Sequence, residues 1–515
     1  MMVFRHYGQR KKLRKVSEVQ TFQYDVIVVG GGMAALAAAI SAKETGASVA
    51  IVSKGKVGMG GSSVLTNAVF SAIFSQGDSP EVFLQDMIEG SRYLADQKLA
   101  KVLVEECTYR VNELETKYRI VLEREKKIAT PGHSFPRRVY AEKGQGRNVT
   151  TAMRKYAMEL GVVFHEQATL VDLLESDGAV CGALFAAKKG WAVFYASAVI
   201  LATGGFGGLY ASTDNPRDVS GEGIGLAYRH GAKLVDMEFI QFYPYRLKTP
   251  ANIDVLTKIF GKGAYLLNEK NERFMASYQR KELETRDVLC YAMYQQNKVL
   301  LDFSRVAQAD LEQDSPQLFR LTRKKYSGDW VMQPVQHYCM GGIQTDEWGR
   351  TGVPGLYACG ECTGGLHGAN RLAGGSVTEI LVFAPRVGKM AAEETVPMLP
   401  DKSMINALFE NCTDVPESVE QDILKKVKDI MWTKVGIERS TDSLVKAANE
   451  LSGMLSQIET VNDIWGQLLT DKLRTAWAVA YAGSLRTESR GAHRLQNIKE
   501  ERMEWQKKIV IQQSS

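Results

Sequence analysis

The sequence has few cysteines, no long apolar run and little net charge. Its seven cysteines are scattered without regular spacing among 515 residues, which argues for reduced thiols and a cytoplasmic protein. No stretch approaches the ~20 apolar residues of a membrane span. The net charge of +5 is small for this length, and the basic and aromatic pattern of a nucleic-acid surface is missing. We therefore expect a soluble protein of several domains, at roughly 150 residues per domain.

A basic run near the N-terminus supplies part of the positive charge. It consists of Arg5, Arg10, Lys11, Lys12, Arg14 and Lys15. No apolar segment of a secretory signal follows it. We expect residues 1–23 to form a solvated tail, and a weak contact with an anionic surface is the alternative.

One cysteine pair has the spacing of a metal or redox motif. Cys359 and Cys362 form a lone C-x-x-C, and no second pair lies nearby. A structural zinc site needs four ligands, so we expect two small loop residues here and no metal site.

The first ordered segment predicts a dinucleotide site. Residues 24–32 read YDVIVVGGG and are followed by the helix-forming MAALAAAISAKETGA, which indicates a buried parallel strand, a tight turn and a helix. Gly30 permits the turn, Gly32 lets the backbone approach a pyrophosphate, and Ala35 is the small residue where helix meets strand. The phosphates would contact free N–H groups at the helix N-terminus.

Three further strands favour FAD over a nicotinamide cofactor. The strand SVAIVS ends in Ser53-Lys54, which we expect to contact the cofactor, rather than in the acid that usually binds the NAD ribose. Apolar strands in 196–210 and 352–361 end at Thr203-Gly204-Gly205 and at Gly360-Glu361. Glycine-ended strands that converge on one extended ligand are expected around FAD. The sequence therefore predicts an α/β fold.

Several motifs resemble one flavoprotein family. In chain order they are LATGGFGGLYASTDNP, SGEGIGLAYRHGA, MEFIQFYP, ERFM, TRDVL, HYCMGGIQTD, GLYACGE, HGANRLAGGS and RTESRGAH. From residue 24 to about 495 the sequence resembles the flavoprotein subunits of fumarate reductase and succinate dehydrogenase, and L-aspartate oxidase.

The resemblance implies an order of domains. A Rossmann-like FAD-binding domain is expected at 24–235 and 340–395, with an inserted α+β capping domain at 236–339. A helical C-terminal domain is expected at 405–515, and apolar spacing of three and four in 417–482 also predicts helices there. Substrate would lie between cap and flavin, because domain interfaces are favoured ligand sites.

The resemblance also implies the cofactor contacts. The loop VGMGGSSVLTNAVFS after the second strand contains no histidine, so we expect FAD without a covalent link. Gly60, Gly61, Ser62 and Ser63 in this loop would hold it. Glu222 in SGEG would be a further cofactor ligand, Glu361 would bind the ribityl chain, and Ser376 would lie near the flavin.

The family moves a hydride between flavin and a carbon next to a carboxylate. By resemblance, Arg371 in HGANRL clamps the substrate carboxylate, and guanidinium suits this because its fork pairs bidentately. His337 in HYCMGG is a second substrate ligand, and Arg286 in TRDVL moves the matching proton.

Two positions depart from the family. Tyr243 replaces the histidine of QFHP. Residues 257–264 read TKIFGKGA where the family has T-E-x-x-R-G-E-G, so Thr257 remains, Lys258 replaces the glutamate and the relay arginine is missing.

These departures allow two interpretations. In the first, the enzyme uses another proton route and another substrate, with Lys258 or Lys262 holding an anion or relaying protons. In the second, fumarate-type catalysis is lost. We favour the first because Arg286, His337 and Arg371 all remain.

The segment RTESRGAH has two interpretations as well. Arg486, Arg490 and His493 could dock an electron-transfer partner, or they could form a buried ion-pair network that ties the last domain to the cap.

The leading functional prediction is an FAD-dependent oxidoreductase acting on a C–C bond next to a carboxylate. A separate electron carrier is expected, such as an iron–sulfur subunit, because the sequence has no haem motif, iron–sulfur cysteine cluster or second dinucleotide fingerprint. The alternatives are an aspartate-type amino-acid oxidase and a non-catalytic subunit that holds flavin within a complex. The expected location is the cytoplasm, either free or at a membrane through a partner.

Overall fold

The computed structural model describes residues 19–126, 129–141, 146–188, 190–324, 326–394, 417–459 and 464–513. The predicted basic tail residues Arg5, Arg10, Lys11, Lys12, Arg14 and Lys15 lie outside these ranges, as does the expected start of the C-terminal domain at residue 405.

The strands are β1 (Val19–Val29), β2 (Val49–Ser53), β3 (Val69–Ser71), β4 (Leu122–Arg124), β5 (Arg138–Ala141), β6 (Val163–Glu166), β7 (Ala168–Ser176), β8 (Ala179–Ala187), β9 (Gly190–Leu201), β10 (Leu234–Val235), β11 (Ile240–Tyr243), β12 (Arg246–Thr249), β13 (Ile253–Asp254), β14 (Tyr265–Leu267), β15 (Val299–Asp302), β16 (Val331–Met332), β17 (Val335–Cys339), β18 (Gly342–Gln344), β19 (Leu356–Ala358), β20 (Thr363–Gly364) and β21 (Val510–Ile511).

The α-helices are α1 (Met33–Glu44), α2 (Ser62–Leu65), α3 (Pro80–Gly90), α4 (Gln97–Thr116), α5 (Gly146–Glu159), α6 (Glu222–Arg229), α7 (Arg286–Tyr294), α8 (Gln308–Asp314), α9 (Pro316–Thr322), α10 (Gly375–Glu393), α11 (Glu417–Lys434), α12 (Thr441–Glu459) and α13 (Ile464–Leu485). Short 3₁₀ segments lie at Gly207–Leu209, Thr257–Lys262, Phe274–Ser277, Lys281–Leu283 and Met503–Trp505.

The central sheet has the order β6-β2-β1-β9-β8-β7, and β19 also pairs with β9. β1 runs parallel to both β2 and β9, and its residues from Val26 onward are buried because helices cover the sheet. The predicted tail is too long, because β1 begins at Val19, where it already pairs with Trp191 of β9. The predicted strand–turn–helix at 24–44 is present as the end of β1 and α1.

A second sheet forms the cap. Its order is β13-β12-β16-β15-β14, and α7 to α9 accompany it in the chain. Its apolar residues form a core of their own, which runs from Tyr243 to Val335 and lies inside the predicted range 236–339. β11 and β17 pair antiparallel with an irregularity between Gln241 and Phe242. These two strands therefore carry the chain into and out of the cap.

A third, small sheet has the order β3-β5-β4. It belongs to the flavin side of the molecule, because Phe70 of β3 and Val139 of β5 join the same apolar cluster as α1. This sheet matters for the site because Arg138 and Tyr140 lie on β5.

The C-terminal region contains the helices predicted in 417–482, as α11, α12 and most of α13. The chain does not end as a helical tail, however. β21 pairs antiparallel with β10 and extends the sheet β20-β18-β10-β21. Among the described residues, no helix is long and apolar enough to cross a membrane.

Candidate active site

The ends of β1 and β9 meet at the predicted dinucleotide turn. Gly30 has a φ of +135°, and a Cβ at this position would lie 2.2 Å from the carbonyl oxygen of Ala202. Only glycine fits this close approach. Gly32 precedes α1, and the Met33 N–H donates to Ser63 Oγ at 3.0 Å. The loop after β2 therefore lies against the start of α1, and Ala35 is fully buried one turn later.

The end of β2 contacts the start of α6. Lys54 Nζ lies 2.7 Å from Glu222 Oε1 and also donates to the carbonyl oxygen of Asp218. Burial opposes ionisation of Glu222, but the charge of Lys54 outweighs it and holds the Glu222 pKa at about 2. Ser53 is buried beside this pair. Three predicted cofactor residues thus converge although about 170 residues separate them.

Two glycines of the loop between β2 and β3 face open space. A Cβ added at Gly60 or Gly61 would meet no atom within 4 Å. Ser62 Oγ donates to Asn215 Oδ1 at 2.6 Å, and Asn215 Nδ2 donates to the His337 carbonyl oxygen at 2.7 Å. The loop is therefore anchored to the strand that carries His337 while its glycines stay open.

Glu361 lies behind the glycines that follow β9. A Cβ on Gly205 would lie 2.6 Å from Glu361 Oε1, and Thr203 and Gly204 lead into this turn. The Cys339 N–H donates to Glu361 Oε1 at 3.2 Å. Burial raises the pKa of Glu361 to about 8. At neutral pH this carboxyl group is therefore largely protonated and able to donate to a sugar hydroxyl. The protonated Glu361 and the open glycines at 60 and 61 suit the binding of FAD.

Arg286 and Arg371 share one acceptor. Arg286 is the first residue of α7 in the cap, and Arg371 precedes α10 on the flavin side. Arg286 Nη1 and Arg371 Nη2 both donate to Gln241 Oε1, at 2.9 and 2.7 Å. Gln241 is buried, and its amide group donates back to the Arg371 carbonyl oxygen at 2.9 Å. A single side chain on β11 thus holds two guanidinium groups together.

Within the described ranges, no carboxylate lies at ion-pair distance from the buried Arg371. Its Nη1 donates to Ser376 Oγ at 3.3 Å, and its guanidinium lies 4.5 Å from the centre of the Tyr338 ring. Among the described residues, its buried Nε has no hydrogen-bond partner. Burial and the nearby charge of Arg286 lower the Arg371 pKa to about 10. An anion at this point would supply the missing acceptor.

His337 is oriented by a carboxylate. Its Nδ1 lies 2.7 Å from Asp214 Oδ2, so Nε2 is the nitrogen left for a ligand. Burial lowers the pKa of His337, and Asp214 opposes this effect. The imidazole stacks on Tyr243 at 5.0 Å between ring centres, and Arg286 lies 5.2 Å from the Tyr243 ring centre. The predicted residues Arg286, His337, Tyr243 and Arg371 therefore form one cluster.

Comparison with known proteins agrees with this geometry. Residues 25–377 match the family described as FAD binding domain, and residues 424–515 match the family described as fumarate reductase flavoprotein C-term. The chain belongs to the fumarate reductase flavoprotein family. This flavoprotein is therefore an FAD-dependent oxidoreductase.

Its relatives have more than one activity. One subunit of the fumarate reductase (CoM/CoB) of Methanothermobacter marburgensis is 30% identical, over 96% of this chain and 98% of that one. L-aspartate oxidase of Saccharolobus solfataricus is 34% identical, over 91% and 95%. The structure of E. coli quinol fumarate reductase matches with a TM-score of 0.85 at 25% identity, over 96% of this chain and 94% of that one.

The two lysines of the altered segment lie in different surroundings. In this flavoprotein Thr257 begins a 3₁₀ segment that ends at Lys262. Lys262 Nζ lies 2.5 Å from Asp310 and 2.6 Å from Asp314, so its charge is neutralised within the cap. Lys258 Nζ instead lies 5.5 Å from the centre of the Tyr140 ring on the small sheet. Lys258 is thus the lysine that faces another part of the flavoprotein.

The residues of RTESRGAH form an internal network. Arg486, Glu488 and Arg490 are buried, as is His493. Arg486 lies 2.8 Å from Glu238, and Arg490 lies 2.6 Å from Glu488. The docking interpretation is wrong for these side chains, because buried groups cannot contact a partner. They tie the C-terminal region of the flavoprotein to the segment between β10 and β11.

Three site residues were not singled out from the sequence. Gln241 and Asp214 lie in the motifs MEFIQFYP and STDNP, and a polar residue within a buried strand was the available signal for Gln241. Arg138 lies close enough to Arg286 for that charge to lower its pKa. It gave no signal in the sequence, because this closeness depends on how the cap lies over the small sheet.

Proposed function

We propose that this flavoprotein binds FAD without a covalent link and transfers a hydride between flavin and a carbon next to a carboxylate of a small substrate. The observation that carries the proposal is the shared Gln241 acceptor, which holds Arg286 and Arg371 at one point of the cleft. Two guanidinium groups so close need an anion to balance their charge.

Arg371 and His337 would bind the substrate carboxylates. The unpartnered Nε of Arg371 and its planar fork suit a bidentate pair with one carboxylate. His337, oriented by Asp214, would contact the other end of the substrate. Tyr243 stacks on the imidazole and excludes water from that side.

Arg286 would move the proton that accompanies the hydride. The bound flavin supplies or accepts the hydride. Arg286 approaches from the cap while Arg371 lies on the flavin side, which supports a substrate held between them with its reacting carbon near Arg286. Gln241 and the Tyr243 ring fix the guanidinium in place, so Arg286 is positioned before substrate binds.

The electrons would pass to or from a partner. The Methanothermobacter marburgensis relative is one of the subunits of its fumarate reductase, and matching structures include the Mycobacterium smegmatis Sdh1 complex. We infer a cytoplasmic flavoprotein that works with a separate electron carrier, either free or at a membrane through that partner.

Anaerobic flavin reoxidation tests the proposal. The purified protein would be photoreduced and mixed with fumarate and other enoates while the flavin absorbance is followed. Arg371→Lys should raise KM, because an ammonium group cannot pair bidentately with the substrate carboxylate. Arg286→Lys should lower kcat. Arg350→Lys is the matched control, because Arg350 pairs with Asp346 at 3.0 Å, outside the cluster. Reoxidation of Arg286→Lys at the wild-type rate would show that another group moves the proton.

Acid precipitation tests the mode of flavin attachment. Non-covalent FAD should leave the precipitated protein colourless and appear in the supernatant. A yellow pellet would show a covalent link and overturn this part of the proposal.

A second candidate is oxidation of L-aspartate, because L-aspartate oxidases are among the relatives at 30% identity or more. Hydrogen peroxide formed from L-aspartate under oxygen would favour it over fumarate-type reduction. No flavin redox change with any of these substrates would instead indicate a protein that only holds flavin within a complex.

A further inference from the structure

One face of helix α7 is polar and contacts the C-terminal region. Asp287, Tyr291 and Gln295 are four residues apart, so they lie on the same side of the helix. The Tyr291 hydroxyl donates to Glu438 Oε1 at 3.1 Å, and Gln295 Nε2 donates to the same oxygen at 3.0 Å. Asp287 Oδ2 lies 3.1 Å from Arg494 Nη2. This cap helix is thus fastened along its length to residues outside the cap.

The residues that contact α7 belong to two segments that pair with each other. The Arg439 N–H donates to the Arg494 carbonyl oxygen at 2.9 Å, and the Gln496 N–H donates to the Arg439 carbonyl oxygen at 2.8 Å. Glu438 lies on the first segment and Arg494 on the second. The guanidinium of Arg494 also lies 5.9 Å from the centre of the Tyr291 ring. The C-terminal region therefore presents one acceptor and one cation to the cap helix from a single paired unit.

Asp287 is the buried end of this contact. Its side chain is buried, and Arg92 Nη2 from the flavin side lies 3.5 Å from the same Oδ2. Arg92 is shared, because its Nε also lies 3.8 Å from Glu501. Burial raises the pKa of Asp287, but the charges of Arg494 and Arg92 outweigh this effect and lower the pKa. The Asp287 carboxylate is therefore ionised at neutral pH and joins the cap to two other parts of the flavoprotein.

The turn that presents Arg92 has an uncommon conformation. Arg92 and Tyr93 have φ of +57° and +63°, a left-handed backbone that residues other than glycine rarely adopt. Arg490 Nη1 donates to the Arg92 carbonyl oxygen at 2.9 Å. Such strain persists where the surrounding structure holds it in place. The buried network of RTESRGAH therefore supports the partner of Asp287 on the flavin side as well.

Arg286 directly precedes Asp287 and is the first residue of α7. Its guanidinium donates to Gln241 at 2.9 Å, while its backbone belongs to the helical turn that Asp287 anchors. Thr285 precedes the helix and makes no side-chain cap to it, so the start of α7 depends on contacts such as those of Asp287. Arg286 is thus held at both ends, its tip by Gln241 and its backbone by Asp287.

We propose that Asp287 is a positioning residue: its ion pairs hold Arg286 in place for the proton step of the proposed reaction. The inference rests on the proposed function. Asp287 would act through Arg286 and through no contact of its own with substrate. A displacement of about 1 Å can slow a reaction by about 100-fold. Loss of the pair should therefore slow the chemical step without weakening substrate binding at Arg371 and His337.

Variants on both sides of the pair test this role. Asp287→Asn and Arg494→Gln should each lower kcat of flavin reoxidation by enoates about ten-fold or more, while KM and the Kd of succinate for the oxidised protein stay near the wild-type values. Arg494→Lys keeps the charge and should retain most of kcat. The double variant should lose no more than Asp287→Asn alone, because both changes break one pair. Losses that multiply in the double variant, or a raised KM with unchanged kcat, would overturn the role.

Asp471→Asn is the matched control. Asp471 is also buried and pairs with two arginines, Arg229 at 3.2 Å and Arg474 at 2.7 Å, where α13 meets α6. Its replacement should lower the thermal unfolding temperature, as Asp287→Asn does, and leave kcat unchanged. An equal fall in kcat would mean that any loosening of the fold slows the reaction, and would overturn the role of Asp287.

Hydrogen exchange separates failure of this role from failure of the proposed reaction. The amides of residues 286–294 would be followed by mass spectrometry in each variant. Faster exchange in Asp287→Asn and Arg494→Gln, but not in Asp471→Asn, supports the restraint on α7 even if no enoate oxidises the flavin. Unchanged exchange overturns the restraint, whatever the enoates do. Flavin reoxidation at the wild-type rate in a variant whose helix exchanges faster would show that Arg286 needs no such positioning, and would also overturn the proposal.

Discussion

Replacing Gln241 with methionine should separate positioning of the arginines from substrate binding. Methionine has a similar length but removes the acceptor for Arg286 and Arg371, now at 2.9 and 2.7 Å. A hydrogen bond to a charged group contributes about 1.5–3 kcal/mol. Loss of both bonds would cost about 3–6 kcal/mol in the free protein, and a bound carboxylate would restore part of this.

The kinetic constants should respond differently. Under the proposed function only the Arg286 bond would affect the proton step, so kcat should fall by about 10- to 150-fold, the equivalent of one charged hydrogen bond. KM should stay constant or fall, because the two unpaired guanidinium groups would attract an anion more strongly. Flavin reoxidation rates measured across substrate concentrations give both constants.

Gln241→Glu is the matched comparison. A carboxylate keeps the acceptor position but neutralises one of the two positive charges. It should retain more of kcat than Gln241→Met and raise KM for an anionic substrate. A Gln241→Met variant with unchanged kcat and raised KM would refute the positioning role, because Gln241 would then bind substrate directly.

Three further predictions concern other parts of the molecule. In Asp214→Asn the pKa of His337 should fall further, because the carboxylate now opposes the effect of burial; the pH above which succinate binding weakens should move down, and a profile that stays in place or moves up would contradict this. Glu488→Gln removes the carboxylate shared by two buried arginines, of which Arg486 keeps Glu238 and Arg490 keeps Glu501, and should cost at most about 3–5 kcal/mol, seen as earlier thermal unfolding; unchanged unfolding would argue against a structural network. Gly60→Val places its side chain where the protein has no atom within 4 Å, so the fold should persist while flavin content falls, and full flavin content would place the cofactor elsewhere.

Local patterns predicted the elements that have strong periodicity. The apolar run and glycines at 24–32 predict the end of β1 and the turn into α1, and the spacing in 417–482 predicts the C-terminal helices. The start of β1 at Val19 was missed because three of the five residues in VQTFQ are polar, so the segment has no continuous apolar run. β21 was missed because a strand of two residues has no period, and it forms only through its pairing with β10.

Site residues were predicted only where a motif carried them. Arg286, His337 and Arg371 came from family motifs. The structure brings Arg286 and Arg371 together at Gln241, and the Tyr243 ring lies between Arg286 and His337. Their roles in catalysis stay predictions. Asp214 and Arg138 could not be predicted, since their importance depends on neighbours that lie over 100 residues away in the chain.

The candidate substrate site is built partly by the flavin side and partly by the cap, so its two halves can change independently during evolution. Arg371, the proposed carboxylate ligand, belongs to the flavin side, whereas Lys258 and Arg286 belong to the cap, which has its own apolar core. By the proposed function, replacements in the 3₁₀ segment Thr257–Lys262 would change which substrates bind and leave the flavin-binding residues unchanged. Relatives that share the same FAD-binding domain could in this way acquire new substrates through a few replacements in the cap.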